Sequence, residues 1–377
     1  MDLDTLAPAL SDLSARARRR VPRFVWEYLE SATGNESARH RAEAALDAVC
    51  LAPRVLCGAP PPDLATTLMG TRYALPFGIA PVGMSGLVWP GAEITLAGVA
   101  AKAGIPYGLS TVAAATPETV SPHHGGMGWF QLYAPGEPEV RRDMLARAGE
   151  AGFTTLVLTG DVPVASRRER QRRARLTNPV KLSLPILAQI AMRPAWALAT
   201  ARAGRPRLVT LEKYADIRTA RPGTAHAGYM LRTAPDRAYL SALRREWQGP
   251  LVVKGVLHAE DARIAANEGA DAVWVSNHGG RQFEAAPAPL AALPAIREAL
   301  PGTPLIYDGA IRSGTDILRA MALGADFTML GRAFHAGLAA YGPAGAAHVV
   351  HVLAEGLKAD MGQLGIARPV LARDHLC

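Results

Sequence analysis

LVVKGV (251–256), AEDARIAANEGA (259–270) and AVWVSN (272–277) follow one another in the chain. Two short runs rich in β-branched residues flank an Ala-rich stretch of helical period, so the segment reads as strand, helix, strand. Gly269 stands where a glycine past a helix C-terminus belongs. The same rhythm continues in both directions. Upstream lie PFGIAP (76–81), YGLST (107–111), GWFQLY (128–133) and TTLVLTGD (154–161); downstream lie PLIYDG (304–309) and FTMLGR (327–332). Helical patterns such as AEITLAGVAAKAG (92–104), PEVRRDMLARAGEAG (138–152) and GTDILRAMALGA (314–325) separate them. Eight such strand–helix units in series predict an α/β fold, the (β/α)8 TIM barrel, which typically needs about 250 residues.

The barrel is expected over 76–377, with a long insertion at about 165–250 between the fourth and fifth strands. Residues 1–75 read as an N-terminal helical segment, with FVWEYLESA (24–32) as its best helix. The 377-residue chain is 49% apolar and 20% charged, which is globular usage and not that of a disordered chain. No run of eighteen uncharged apolar residues occurs, so a spanning helix is not expected. Met1 to Leu13 lacks the basic and apolar regions of a signal peptide, and a cytoplasmic location is expected. Cys50, Cys57 and Cys377 are too few and too irregular for a disulfide framework or a zinc site, and no metal is expected.

The net charge of +8 is concentrated in two arginine clusters, 16–23 and 167–175. The aromatics Phe24, Trp26 and Tyr28 follow the first cluster and do not interleave with it, so nucleic acid is not an expected partner. The polar residues at the strand ends say more. Ser110, Gln131, Tyr133, Thr159, Asp161, Lys254, Ser276, His278, Asp308, Gly331 and Arg332 all fall where barrel strands meet the active-site mouth. So many polar groups converging on one mouth are costly without a ligand to satisfy them.

SNHGGRQ (276–282), with LVVKGV, FQLY (130–133), LTGD (158–161) and DGAIRSGTD (308–316), resembles the FMN-dependent α-hydroxy-acid dehydrogenases and oxidases. The resemblance runs from about Tyr28 to the last barrel helix and is nearest to the family's membrane-associated mandelate dehydrogenases. It implies FMN as cofactor. Lys254 would face the N1–C2=O end of the flavin, where a fixed ammonium favours the reduced anion. Ser110, Gln131 and Thr159 would bond the ring edge, Ser276 would add a flavin contact, and the backbone of Pro81, Val82 and Gly83 would lie near N5. Asp308, Gly309, Arg312, Gly331 and Arg332 would supply the ribityl contact and the phosphate site.

The resemblance further implies that His278, oriented by Asp161, is the catalytic base and that Tyr133 joins them. Either the α-proton or the hydroxyl proton would suit that base. Arg281 and Arg168 would clamp the substrate carboxylate, with Tyr28, Tyr133 and Gly83 also at the substrate. Two departures bear on selectivity. The family's Pro-Thr-Ala or Pro-Thr-Gly reads Pro81-Val82-Gly83 here, and members acting on small acids carry Ala and Trp where Gly83 and Val112 stand. Both exchanges are expected to widen the pocket toward an aryl or bulky (S)-2-hydroxy acid, oxidised to the 2-oxo acid with a quinone as acceptor. A soluble oxidase using O2 and a lactate dehydrogenase are the alternatives. A homo-oligomer, a tetramer by resemblance, is implied. Residues 183–201, with Trp196 lipid-buried and the arginines before them on anionic headgroups, are expected to touch the inner face of the cell membrane. The competing reading makes the insertion a lid or an oligomer contact.

Overall fold

The computed structural model describes residues 2–176, 180–214 and 233–377. A hairpin of β1 (Thr66–Leu68) and β2 (Thr71–Tyr73) precedes the barrel strands. These are β3 (Phe77–Ile79), β4 (Tyr107–Ser110), β5 (Gly128–Tyr133), β6 (Thr155–Thr159), β7 (Leu251–Val256), β8 (Ala272–Val275), β9 (Leu305–Asp308) and β10 (Phe327–Leu330). They pair in parallel in chain order, and β10 closes on β3. Every apolar run singled out above is a barrel strand. Helices cover the outer face, so most strand residues are buried on both sides, which is why the runs read as continuously apolar.

The hairpin corrects the expectation that residues 1–75 are helical throughout. Met69 and Gly70 both take positive φ, the geometry of a two-residue hairpin loop. Leu68 and Tyr73 thereby cap the end of the barrel away from the active-site mouth, packing with Trp129, Trp274 and Phe327. Trp129 Nε1–H donates to the Tyr73 hydroxyl at 3.1 Å. Ahead of the hairpin, helices Leu10–Arg20, Arg23–Glu30 and Ser37–Asp47 are as helical as expected. The middle one buries Phe24, Val25 and Leu29 and carries Tyr28 to the barrel mouth.

The insertion folds as helices Glu169–Arg173, Leu184–Ala191, Pro194–Ala203, Val209–Glu212 and Arg237–Glu246, while 177–179 and 215–232 lie outside the described residues. Trp196 is not available to lipid as expected. It is buried edge-on against Phe24, with ring centroids 5.8 Å apart, and donates from Nε1 to the Leu87 carbonyl at 3.2 Å. Gln189 accepts from the Phe24 amide, and Arg193 donates to the Val21 carbonyl. The same two helices expose Leu184, Leu187 and Leu198, and the turn between them exposes Met192. Nor is Arg170 solvated or lipid-facing; it pairs with Glu27 and Glu36 and ties the insertion to the N-terminal helices.

Candidate active site

A cavity of about 650 Å³ opens at the C-terminal ends of the strands. Tyr28, Pro81, Val82, Gly83, Gln131, Tyr133, Thr159, Arg168, Lys254, His278, Arg281, Asp308, Gly309, Arg312, Gly331 and Arg332 all line it. Ser110, Asp161 and Ser276 stand directly behind this wall and hold residues of it.

The turn after β8 explains its own sequence. His278, Gly279 and Gly280 take φ of 55°, 64° and 74°, three successive left-handed residues that only glycine-rich sequence accommodates. A Cβ on Gly280 would lie 2.9 Å from the Arg39 amide, so that position has no room for one. Asn277, which sequence reasoning passed over, accepts from the Gly280 amide and shapes the turn. His278 Nδ1 thereby reaches Asp161 Oδ1 at 3.0 Å. Burial pushes the imidazole pKa down, partly offset by Asp161. Burial opposes ionisation of Asp161, but His278 and then Lys254 outweigh it and hold the carboxyl below its ordinary value. The pair is therefore a neutral imidazole on a carboxylate, with Nδ1 carrying the proton.

Gly255 was also missed. The β7–β8 register shifts between Lys254 and Val256, and Gly255 takes φ 103° there. A Cβ at Gly255 would stand 2.4 Å from Asp161 Cβ, so this irregularity makes the space in which Asp161 meets His278.

Lys254 is buried, with Nζ 2.6 Å from Ser276 Oγ and 2.7 Å from Asp308 Oδ2, and it lies over the Trp274 ring. On the three preceding strands Ser110 Oγ–H donates to Gln131 Oε1 at 2.6 Å, and Gln131 Nε2–H donates to Thr159 Oγ1 at 2.8 Å. This row fixes which way the Gln131 amide faces. Tyr28 donates from its hydroxyl to the Gly83 carbonyl at 2.6 Å. Arg281 donates to the main-chain carbonyls of Tyr28 and Leu29. Burial, then Arg332 and Arg168, drive the Arg281 pKa down, so the guanidinium sits among like charges. A guanidinium stays charged even so. Arg332 donates to the Gly279 carbonyl at 2.9 Å and stands 4.0 Å from Glu30. Arg312 lines the rim, with its guanidinium on Asp47 at 2.6 Å and near Asp316 at 3.5 Å.

One contact modifies the sequence reading of pocket width. The side chain of Val112 fills the space beside Gly83; a Cβ on Gly83 would lie 2.6 Å from Val112 Cγ2. The two positions are thus one packing unit, not two independent openings.

The residues present fit FMN on their own chemistry. A buried ammonium and a row of amide and hydroxyl groups suit the ring edge. Left-handed Gly309 and Ala310, with Gly331 and Arg332 at a helix start, suit a phosphate. Arg168 and Arg281 remain for a second anion.

The model of the FMN-dependent dehydrogenase family matches residues 17–376. An L-lactate dehydrogenase of Caulobacter vibrioides is 37% identical over 366 residues, covering 96% of this chain and 95% of that protein. The crystal structure of the monotopic membrane protein (S)-mandelate dehydrogenase is 32% identical, with a TM-score of 0.91 and 98% of each chain covered. Mandelate oxidase is 31% identical with a TM-score of 0.81, over 97% of this chain and 96% of that one. With the barrel and its flavin-fitted mouth in place, this chain belongs to the FMN-dependent dehydrogenase family and oxidises a 2-hydroxy acid with FMN as cofactor.

Proposed function

We propose that the enzyme converts an aryl or otherwise bulky (S)-2-hydroxy acid to its 2-oxo acid and passes the electrons to a membrane quinone. The observation that carries the chemistry is the His278–Asp161 pair, 3.0 Å apart, with His278 in a cavity wall rich in arginine and Asp161 behind it. FMN, when bound, supplies the acceptor for the two electrons leaving the substrate. His278, kept neutral by burial, offers Nε2 to the substrate proton. Asp161 holds Nδ1–H and stabilises the imidazolium that results. Arg281 and Arg168 bind the carboxylate, Arg281 being anchored through the Tyr28 and Leu29 carbonyls. Tyr28 and Tyr133, which line the same cavity as His278, would contact the substrate, with Gly83 beside Tyr28. Lys254, steadied by Ser276 and Asp308, would hold the N1 end of the flavin; Ser110, Gln131 and Thr159 would serve its ring edge, and Pro81 and Val82 its N5 side. Gly309, Gly331 and Arg332 take the phosphate. Arg312, already paired, closes the rim.

Absence of a side chain at Gly83 supports the bulky substrate. A second reading, L-lactate, is favoured by the 37% identical L-lactate dehydrogenase and by Val112 filling the space beside Gly83. Anaerobic reduction of the purified flavoprotein decides between them. Faster reduction by mandelate than by L-lactate at equal concentration is expected, and the reverse order would transfer the assignment to lactate.

Membrane contact follows from the two insertion helices. No helix among the described residues is long and apolar enough to cross a bilayer. The exposed Leu184, Leu187, Met192 and Leu198 suit a helix pair lying in the headgroup region. Arg18, Arg19 and Arg23, on the N-terminal helices that receive Gln189 and Arg193, supply cations beside them.

A further inference from the structure

We propose that Ser85 and His335 are a positioning pair, fixing the Pro81–Ser85 loop against Gly331 so that the two ends of the FMN site keep one separation. Both side chains are buried, 2% and 1% exposed, and neither lies in the catalytic wall. His335 Nδ1 is 2.8 Å from the Gly331 carbonyl, which can only accept, so Nδ1 carries a hydrogen. Burial pushes the imidazole pKa down to about 4, leaving the ring neutral and Nε2 an acceptor. Ser85 Oγ stands 2.7 Å from that Nε2 and 2.8 Å from the Val82 carbonyl. Its single hydroxyl hydrogen therefore lies between the loop and the ring.

The two anchored segments belong to opposite ends of one ligand. Val82 and Gly83 are assigned to the flavin ring, Gly331 and Arg332 to the phosphate, and the inference rests on that reading. Packing reinforces the link, since a Cβ on Gly331 would lie 2.9 Å from Val82 Cγ2. The loop is held elsewhere too, by Tyr28 on the Gly83 carbonyl and by the Met84 amide on the Val112 carbonyl. Among the described residues, the side-chain hydrogen bond that carries it to the helix starting at the phosphate is Ser85–His335.

The test compares His335→Leu, Ser85→Ala and the double variant, each titrated as apoprotein with FMN and reduced anaerobically as holoenzyme. Loss of one buried hydrogen bond predicts an FMN Kd about tenfold higher in each single variant. The double variant should be no worse than the weaker single one, because the two act as one contact. The rate of flavin reduction at saturating substrate should fall, while the apoprotein's thermal midpoint accounts for any loss of packing. Partial recovery of FMN affinity in His335→Gln would support a hydrogen-bonding role. Arg332→Gln checks the site reading separately and should erase the preference for FMN over riboflavin. If that preference survives, the phosphate assignment fails and the proposal falls with it. If Arg332→Gln behaves as expected but FMN affinity and reduction rate in His335→Leu stay within twofold of wild type, or the single effects add in the double variant, the pair is packing only.

Discussion

His278 and Asp161 set the pH behaviour. Because burial holds the imidazole pKa below its ordinary value, the base remains competent below the pH at which a free histidine protonates. Asp161 raises that pKa, so Asp161→Asn should move the acid limb of kcat/KM to lower pH while the plateau falls by roughly 10²–10⁴-fold, the span typical of a general base's contribution. A pH profile of flavin reduction checks both; an acid limb that moves upward would remove the pairing. Gly83→Ala is a different kind of change. Its Cβ would overlap Val112 Cγ2, so Val112 must rotate and the space over the flavin shrinks. The kcat/KM ratio of mandelate to lactate should drop several-fold, and Val112→Ala on that background should restore stability. His278 and Arg281 were legible because they sit in one contiguous turn with its two glycines. The Gly83–Val112 overlap was not, because it joins loops after two different strands and depends on a side-chain rotamer that no spacing encodes.

Among the elements, β7 shows how much a strand does beyond presenting Lys254. Gly255→Ala would require an L-residue at φ 103° and would drive a methyl into Asp161. The expected outcome is a protein that still folds and turns yellow but reduces its flavin at least tenfold more slowly, since each 1.4 kcal/mol of misalignment is a factor of ten. Stopped-flow reduction alongside thermal melting tests this; equal losses in both would mean the strand itself had failed. The barrel strands could be read in the sequence because burial on both faces leaves an unbroken apolar run bounded by polar ends. The hairpin could not. Thr66–Leu68 and Thr71–Tyr73 are three residues each, too short for an alternating pattern, and only Met69–Gly70 marks the turn. Trp196 was misread for a related reason: composition reports that a helix is amphipathic, not which of its faces meets protein.

At the scale of the molecule, the insertion serves two environments. Ile186 and Trp196 are core residues, so removing 183–201 would uncover Phe24 and the apolar surface around it. Replacing Leu184, Leu187, Met192 and Leu198 with serine leaves that core alone. Cosedimentation with anionic liposomes should then be lost while turnover with an artificial acceptor persists. An intact protein that ignores liposomes and reoxidises rapidly in air would be an oxidase with a lid. The order of the barrel has its own consequence. The proposed FMN site draws on residues from Pro81 to Arg332, and it exists only once β10, the last barrel strand made, has hydrogen-bonded to β3, the first. Contacts so distant in sequence make folding slow. They also tie occupancy to the global equilibrium: a ligand held only by the closed ring stabilises the entire chain by RT ln(1 + [L]/Kd). Melting temperature should climb with added FMN, and cellular lifetime should follow flavin supply.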